Sequence, residues 1–330
     1  MTSGLPFDDY RQLLRALPGP DEAARARAAE RSSRLSAQGP ALGRLGTIAE
    51  WLAAWTGRDP QILRPLVALF AGTHDIARRH LFAGRPDETQ AMIEHAAAGG
   101  AAVNQLCAAN DLGLKVFDLA LHMPVGDISA GAALDERGCA ATMAFGMEAV
   151  AGGIDLLCVA GVGAGGTVSA AALMGALHGG AAEDWVGFED DRAMRARAVA
   201  VVQQALAFHG ANLNDPFEAL RRLGGREIAA MAGAILAART EKVPVVLDGY
   251  ASLAAAAALR AVHPSAIDHC LLGHVSTEPG MARAAPLLGL RPVLDLSLGD
   301  GEGMGAALAA GVVRNAAAIH AGMTVRSPAQ

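Results

Sequence analysis

Glu302 stands among four glycines at alternate positions, Gly299, Gly301, Gly303 and Gly305, between a short apolar run and a long helical pattern. A carboxylate so placed admits two readings. It is a favourable partner for the positive end of the helix that follows, or it is a general base, because glycines on either side let a substrate approach the backbone beside the acid. Asp300 raises the cost of ionising Glu302 if the two carboxyl groups come close. A second glycine cluster, Gly161 to Gly166, leads into a helical pattern near Thr167. Backbone N–H groups in such a loop, backed by a helix N-terminus, suit a phosphate. The spacing Gly161, Gly163, Gly166 also satisfies the GxGxxG dinucleotide pattern, although Glu183, at the distance expected of a ribose partner, follows no strand. A tight turn with no ligand is the third reading of the same loop.

The other polar candidates are more ambiguous. Asp248 precedes Gly249 at the end of an apolar run and suits either a ribose hydroxyl or the cap of the next helix. Ser276, two residues before Glu278, reads as an N-terminal cap or as a hydroxyl donor to a phosphate. Of ten histidines, His74 and His274 are the two at the ends of apolar runs. On local evidence Gln90 is a polar residue on a helix face, and Glu189-Asp190-Asp191 reads as a solvated acidic loop.

These residues need elements to hold them. The first 58 residues read as helices over Phe7–Leu17, Asp21–Leu35 and Leu42–Trp55, separated by Pro18-Gly19-Pro20 and Gln38-Gly39-Pro40. Six apolar runs follow, Leu66–Ala71, Lys115–Leu121, Ile154–Ala160, Val243–Leu247, His269–Val275 and Pro292–Leu298, most of them succeeded by a helical pattern. Unbroken apolar strands alternating with helices predict an α/β fold: an open, mostly parallel six-stranded sheet covered on both faces. A small helical subdomain, residues 1–58 joined by 306–330, is expected beside an α/β domain over 59–305. Ligands of such sheets bind outside the carboxyl ends of the strands. The chemistry-bearing residues above should therefore converge on one cleft.

Composition excludes several alternatives. With 27 Lys+Arg against 33 Asp+Glu, a formal net charge of −6 and 18% charged residues, the chain has no basic surplus for nucleic acid. Apolar residues at 52% exclude disorder, and 39 glycines with abundant alanine imply close packing of helices on the sheet. Cys107, Cys139, Cys158 and Cys270 have no metal-ligating or disulfide spacing and read as buried small side chains. Charges at Asp8, Asp9, Arg11, Arg15, Asp21 and Glu22 argue against a secretory signal, so a cytoplasmic location is expected. Leu156–Leu177 runs 22 residues without a charge, but its glycine-rich centre fits strand, loop and helix better than a membrane span.

Longer blocks carry a resemblance. LGGREIAAMAGAILAAR (Leu223–Arg239), VVLDGYASLAAAA, DHCLLGHVSTEPG, GEGMGAALAAG (Gly301–Gly311), AAGGAAVNQ (Ala97–Gln105) and ALGRL (Ala41–Leu45) together resemble nicotinate-nucleotide:dimethylbenzimidazole phosphoribosyltransferases, over essentially the whole chain. The resemblance implies a cytoplasmic homodimer without cofactor or metal. Its reaction would move the phosphoribosyl group of nicotinate mononucleotide onto 5,6-dimethylbenzimidazole or a related base, giving α-ribazole 5′-phosphate for the lower ligand of cobalamin. The family's Gly-Glu-Gly acid matches Glu302, which would be the base; Gly301 and Gly303 flank it. Gln90 matches a glutamine of the benzimidazole pocket. Gly163, Gly165, Thr167 and Ser276 match positions lining the mononucleotide phosphate, and Asp248 matches the strand-ending acid.

The chain also departs from the family's pattern. Gly161 stands where a second active-site glutamate is usual, Ala198 where a lysine is usual, and Gly187 runs directly into Phe188-Glu189-Asp190 without a Gly-Thr-Gly loop. Phe82-Ala83-Gly84-Arg85 replaces a proline-rich stretch of the base pocket, Ala37-Gln38-Gly39-Pro40 a lysine-containing one, and Gly299-Asp300 and Met304 flank the Gly-Glu-Gly differently. These changes gather at the ligand side, so the alternative expectation is a catalytically impaired or regulatory homologue, paired with an active paralogue.

Overall fold

The computed structural model describes residues 5–37, 39–79, 81, 88–187, 191–299 and 301–324. Three helices come first, α1 (Asp8–Arg15), α2 (Glu22–Ala37) and α3 (Arg44–Thr56), each within two residues of its predicted boundaries at either end. Then β1 (Pro65–Ala71), α4 (Glu88–Ala97), α5 (Ala102–Asn110), β2 (Gly113–Asp118) and α6 (Glu136–Met147) follow. The middle of the chain holds β3 (Leu156–Val162), α7 (Gly166–His178), α8 (Arg192–His209), α9 (Pro216–Leu223), α10 (Arg226–Thr240), β4 (Val245–Asp248) and α11 (Gly249–Val262). It closes with β5 (Cys270–Ser276), α12 (Pro279–Leu287), β6 (Pro292–Leu298) and α13 (Met304–Gly322).

The six strands form one sheet in the order β2-β1-β3-β4-β5-β6, every pair parallel. Because β2 lies outside β1 and the chain then returns to β3 on the other side, the order reverses between β1 and β3. That reversal is where an open sheet leaves a crevice at its carboxyl edge. The uncharged segment Leu156–Leu177 divides into β3 and most of α7, joined by the glycine loop, and no helix of the described residues is long and apolar enough to cross a membrane.

Alternation along the strands supplies two cores. Ala68, Phe70, Leu157, Val159, Val245 and Leu247 face the layer containing α6, α7, α9, α10 and α11. Val67, Leu69, Leu156, Cys158, Ala160 and Val246 face α3, α5 and α13. The helices before residue 58 do not all share a side. Phe7 stacks on Phe217 with centroids 5.2 Å apart, and the Tyr10 hydroxyl donates to the Ala140 carbonyl at 2.6 Å, so α1 belongs to the first face while α3 and α13 belong to the second.

Two of these helices set the geometry of the carboxyl edge. α10 crosses α6 backbone to backbone: a Cβ at Gly146 would lie 1.9 Å from the Ala230 carbonyl oxygen, and one at Gly233 the same distance from that of Met143. α13 meets β5 as closely, since a Cβ at Gly305 would lie 1.9 Å from the buried His274 ring. Neither contact tolerates a methyl group, so α10 is fixed against α6 and the head of α13 against β5.

Candidate active site

Helices that connect parallel strands run back against them, so their N-termini lie at the carboxyl edge of the sheet. The heads of α4, α7, α10 and α13 meet there around a cavity of about 250 Å³ lined by Glu88, the Gly161–Thr167 segment, Glu227, Ala251, Gly301 and Glu302, among others. The heads of α4, α10 and α13 bring Glu88, Glu227 and Glu302 to the hollow, whereas the head of α7 carries no acid, so it is the α7 end that suits an anionic guest. A larger groove of about 1130 Å³ runs past Arg44, Trp51, Asp268 and Leu290. Asp268 and Leu290 precede β5 and β6, so this groove lies at the opposite, amino edge of the sheet, away from the convergent acids.

The Glu302 turn is unusual in its backbone. Gly301, Glu302 and Gly303 all have positive φ, at 80°, 61° and 82°. Glycine adopts this conformation freely, but a glutamate there is strained and persists because its surroundings hold it. Asp248 is that support. Wholly buried at the end of β4, it accepts from the Gly303 N–H through Oδ2 at 3.0 Å and from the Ala306 N–H through Oδ1 at 2.7 Å. Register places it beside Ala160 of β3, and His274 Nε2 lies 3.4 Å from Oδ1. The carboxyl of Glu302 is thereby displayed in the cavity, and its pKa is raised first by burial and then by the charges of Asp248 and Glu88, with His95 acting the other way. A carboxylate held above its usual range is a better proton acceptor.

The glycine loop is narrower than the GxGxxG spacing implies. Gly161 belongs to β3, paired with Phe70, and the turn is Gly163 to Gly165, with α7 starting at Gly166. This removes the dinucleotide reading, in which the first glycine makes the turn. Gly163, Gly165 and Thr167 line the cavity. The Ala164 N–H donates to the buried Thr89 hydroxyl at 3.0 Å, tying the loop to the head of α4.

Not every predicted residue arrives. Gln90 is exposed on α4, where its amide donates to Glu94 at 2.8 Å, and it does not line the cavity. Ser276 is buried, donates to the Met281 sulfur at 3.1 Å and accepts from the Glu278 N–H at 3.2 Å, so its hydroxyl is committed to the head of α12. Asp248 lies beneath the turn and caps α13, a helix from elsewhere in the chain; the expectation that it serves a ribose hydroxyl or the helix directly after it gives way to this tertiary role. Gly303 forms the cap of α13 behind the lining, and Ala198 is buried in α8 away from the cavity. Phe82–Arg85, Phe188–Asp190, Gln38 and Asp300 lie outside the described residues.

Two acids of the lining, Glu227 and Glu88, are not among the expected residues. Glu227, in the first turn of α10, is 1% exposed and lines the cavity. Its Oε1 is 2.7 Å from His74 Nε2, and His74 Nδ1 is 3.1 Å from the Ser169 hydroxyl. Ligand residues are expected after strands, whereas Glu227 stands two residues past Gly225 at a helix head. Helix heads share the carboxyl edge with strand ends, so an acid just after a glycine pair was the available signal. Glu88, at the head of α4, was missed for the same reason.

Known proteins match this arrangement. A phosphoribosyltransferase family model matches residues 17–330. The nicotinate-nucleotide–dimethylbenzimidazole phosphoribosyltransferase of Rhizobium johnstonii is 60% identical over 323 residues, covering 97% of this chain and 96% of the relative. Its counterpart in Rhizobium meliloti is 59% identical over the same length. A crystal structure of the Thermus thermophilus enzyme of that name superposes with a TM-score of 0.85 at 33% identity, covering 92% of this chain and 97% of that one. The chain therefore belongs to the nicotinate-nucleotide–dimethylbenzimidazole phosphoribosyltransferase family.

Proposed function

We propose that this protein transfers the phosphoribosyl group of nicotinate mononucleotide to 5,6-dimethylbenzimidazole or a related base, releasing nicotinate and forming α-ribazole 5′-phosphate for the lower ligand of cobalamin. The observation that carries the reading is Glu302, held in a strained turn at the rim of a cavity whose other wall is a glycine loop at the head of α7. The loop suits the phosphate. The incoming base attacks the anomeric carbon through one ring nitrogen while Glu302 takes the proton from the other, so the positive charge that would build on the ring is discharged as it forms. The electron pair of the broken glycosidic bond leaves on the nicotinate nitrogen, and the anomeric centre inverts.

Family relatives at 59–60% identity support this reading, and nothing in the fold favours an impaired or regulatory homologue. The same reading includes a cytoplasmic location and a homodimer, the latter supported by Leu296, 55% exposed on the open edge strand β6. Incubation with nicotinate mononucleotide and dimethylbenzimidazole should release nicotinate. Glu302→Gln should lower the rate by about 10²- to 10⁴-fold, and equal release by the two proteins would remove Glu302 as the base.

A further inference from the structure

The cavity holds a second buried carboxylate that the reaction above does not use. Glu227 has one oxygen committed to His74, while the other, Oε2, has no hydrogen-bond partner among the described residues. A buried carboxylate oxygen without a donor is costly, and such atoms are rare unless a bound molecule supplies the missing hydrogen. Space around the group is kept by missing side chains: a Cβ at Gly72 would lie 2.2 Å from Oε2, and one at Gly225 2.5 Å from it.

Its neighbours say which part of a ligand it meets. On one side is the glycine loop, where a Cβ at Gly166 would stand 3.2 Å from Oε1. On the other is Gly161, whose own Cβ would stand 3.6 Å from the Glu227 Cγ, and whose carbonyl oxygen packs against Gly301 of the Glu302 turn, 2.8 Å from where a Cβ would sit there. The order across the cavity is therefore phosphate loop, Glu227, Gly161, Glu302. Glu227 reaches in from α10 on one face of the sheet, and Glu302 from α13 on the other. What lies between a phosphate and a reacting base is the sugar.

Resting on the nucleotide-binding reading above, we propose that Glu227 is a second ligand-binding acid of this site, its Oε2 accepting a hydrogen bond from a ribose hydroxyl of the bound mononucleotide. His74, itself held by Ser169, fixes the rotamer through Oε1. The bare backbone at Gly161 leaves the acid accessible from the cavity.

Titration calorimetry with nicotinate mononucleotide and its 2′-deoxy and 3′-deoxy analogues tests this on the wild type and on Glu227→Met, a length-matched side chain that does not accept. The wild type should lose about 10- to 100-fold in affinity for one analogue, the range for a hydrogen bond to a charged acceptor. Glu227→Met should lose a similar factor for the parent nucleotide but little more for that analogue. Structural damage would weaken parent and analogue alike, so equal losses overturn the assignment, as does unchanged parent affinity. Should the methionine variant not fold, indifference of the wild type to both missing hydroxyls overturns it independently. Nicotinate release by the wild type judges the transferase reading separately: hydroxyl-dependent binding without turnover keeps Glu227 and removes that reaction, and turnover without coupling does the reverse.

Discussion

At the scale of the residue, Glu302 combines backbone strain with a disfavoured charge. Burial and the nearby Asp248 and Glu88 carboxyls hold its pKa above the usual glutamate range, which is about 4.3. A base works only when ionised, so kcat/KM should fall toward acid pH with a midpoint above that value. The stability consequence has the opposite sense. Between the ordinary and the raised pKa the folded protein keeps a proton that the unfolded chain has released, so folding stability falls as pH rises through that window. Glu302→Gln removes the cost. The variant should therefore be more stable than wild type at pH 7, with the difference shrinking below pH 4, as read from urea midpoints at the two pH values. A glutamine variant less stable by the same margin at both would show that the folded state does not disfavour the charge.

At the scale of the element, the Glu302 turn is the head of α13 seen from the end of β4. Asp248 accepts from two backbone N–H groups of that head, a task that asparagine performs with only one of its two terminal atoms. Asp248→Asn sets an amide N–H against a backbone N–H. It should cost about 1–3 kcal/mol in stability and, by shifting Glu302, about 10²-fold in kcat/KM. Urea denaturation and steady-state kinetics on one preparation decide the matter: lost stability with intact kcat/KM would leave Asp248 a structural residue only. The same pair shows what the amino-acid order reveals and what it hides. All six strands were legible to within a few residues: β1, β3, β4 and β5, buried on both faces, are written as nearly unbroken apolar runs, while the edge strands β2 and β6 keep apolar residues interrupted by charged or polar ones. Glu302 and the glycine loop were legible because glycine at close spacing marks backbone that a neighbour approaches. Asp248, Ser276 and Gln90 were not, since each has an equally ordinary local role and only tertiary packing decides where its side chain points. Glu227 reads as one acid in a helical pattern until α10 is laid antiparallel to the strands.

At the scale of the whole molecule, the two faces of the sheet contribute unequally to one site, and an edge is left open. Among the described residues strand β6 has no neighbour on its outer side, and Leu296 of that strand and Leu287 of α12, 46% exposed, both lie in the open. Natural sheets rarely leave apolar edge residues uncovered. Sedimentation equilibrium should give twice the chain mass, with Leu296→Lys shifting the equilibrium toward the monomer; a wild-type chain that sediments as a monomer at micromolar concentration would remove the homodimer from the reading. The close seating of α13 has one more consequence, in the order of synthesis. Strands β1 and β3 and the glycine loop leave the ribosome well before residue 301, and the proposed base Glu302 and helix α13 follow them. A nascent chain that has reached only the glycine loop leaves uncovered the part of the sheet on which α13 packs and lacks the proposed proton acceptor. Docking of α13 would cover that surface and bring the proposed base to the cavity together, because both belong to one segment of chain.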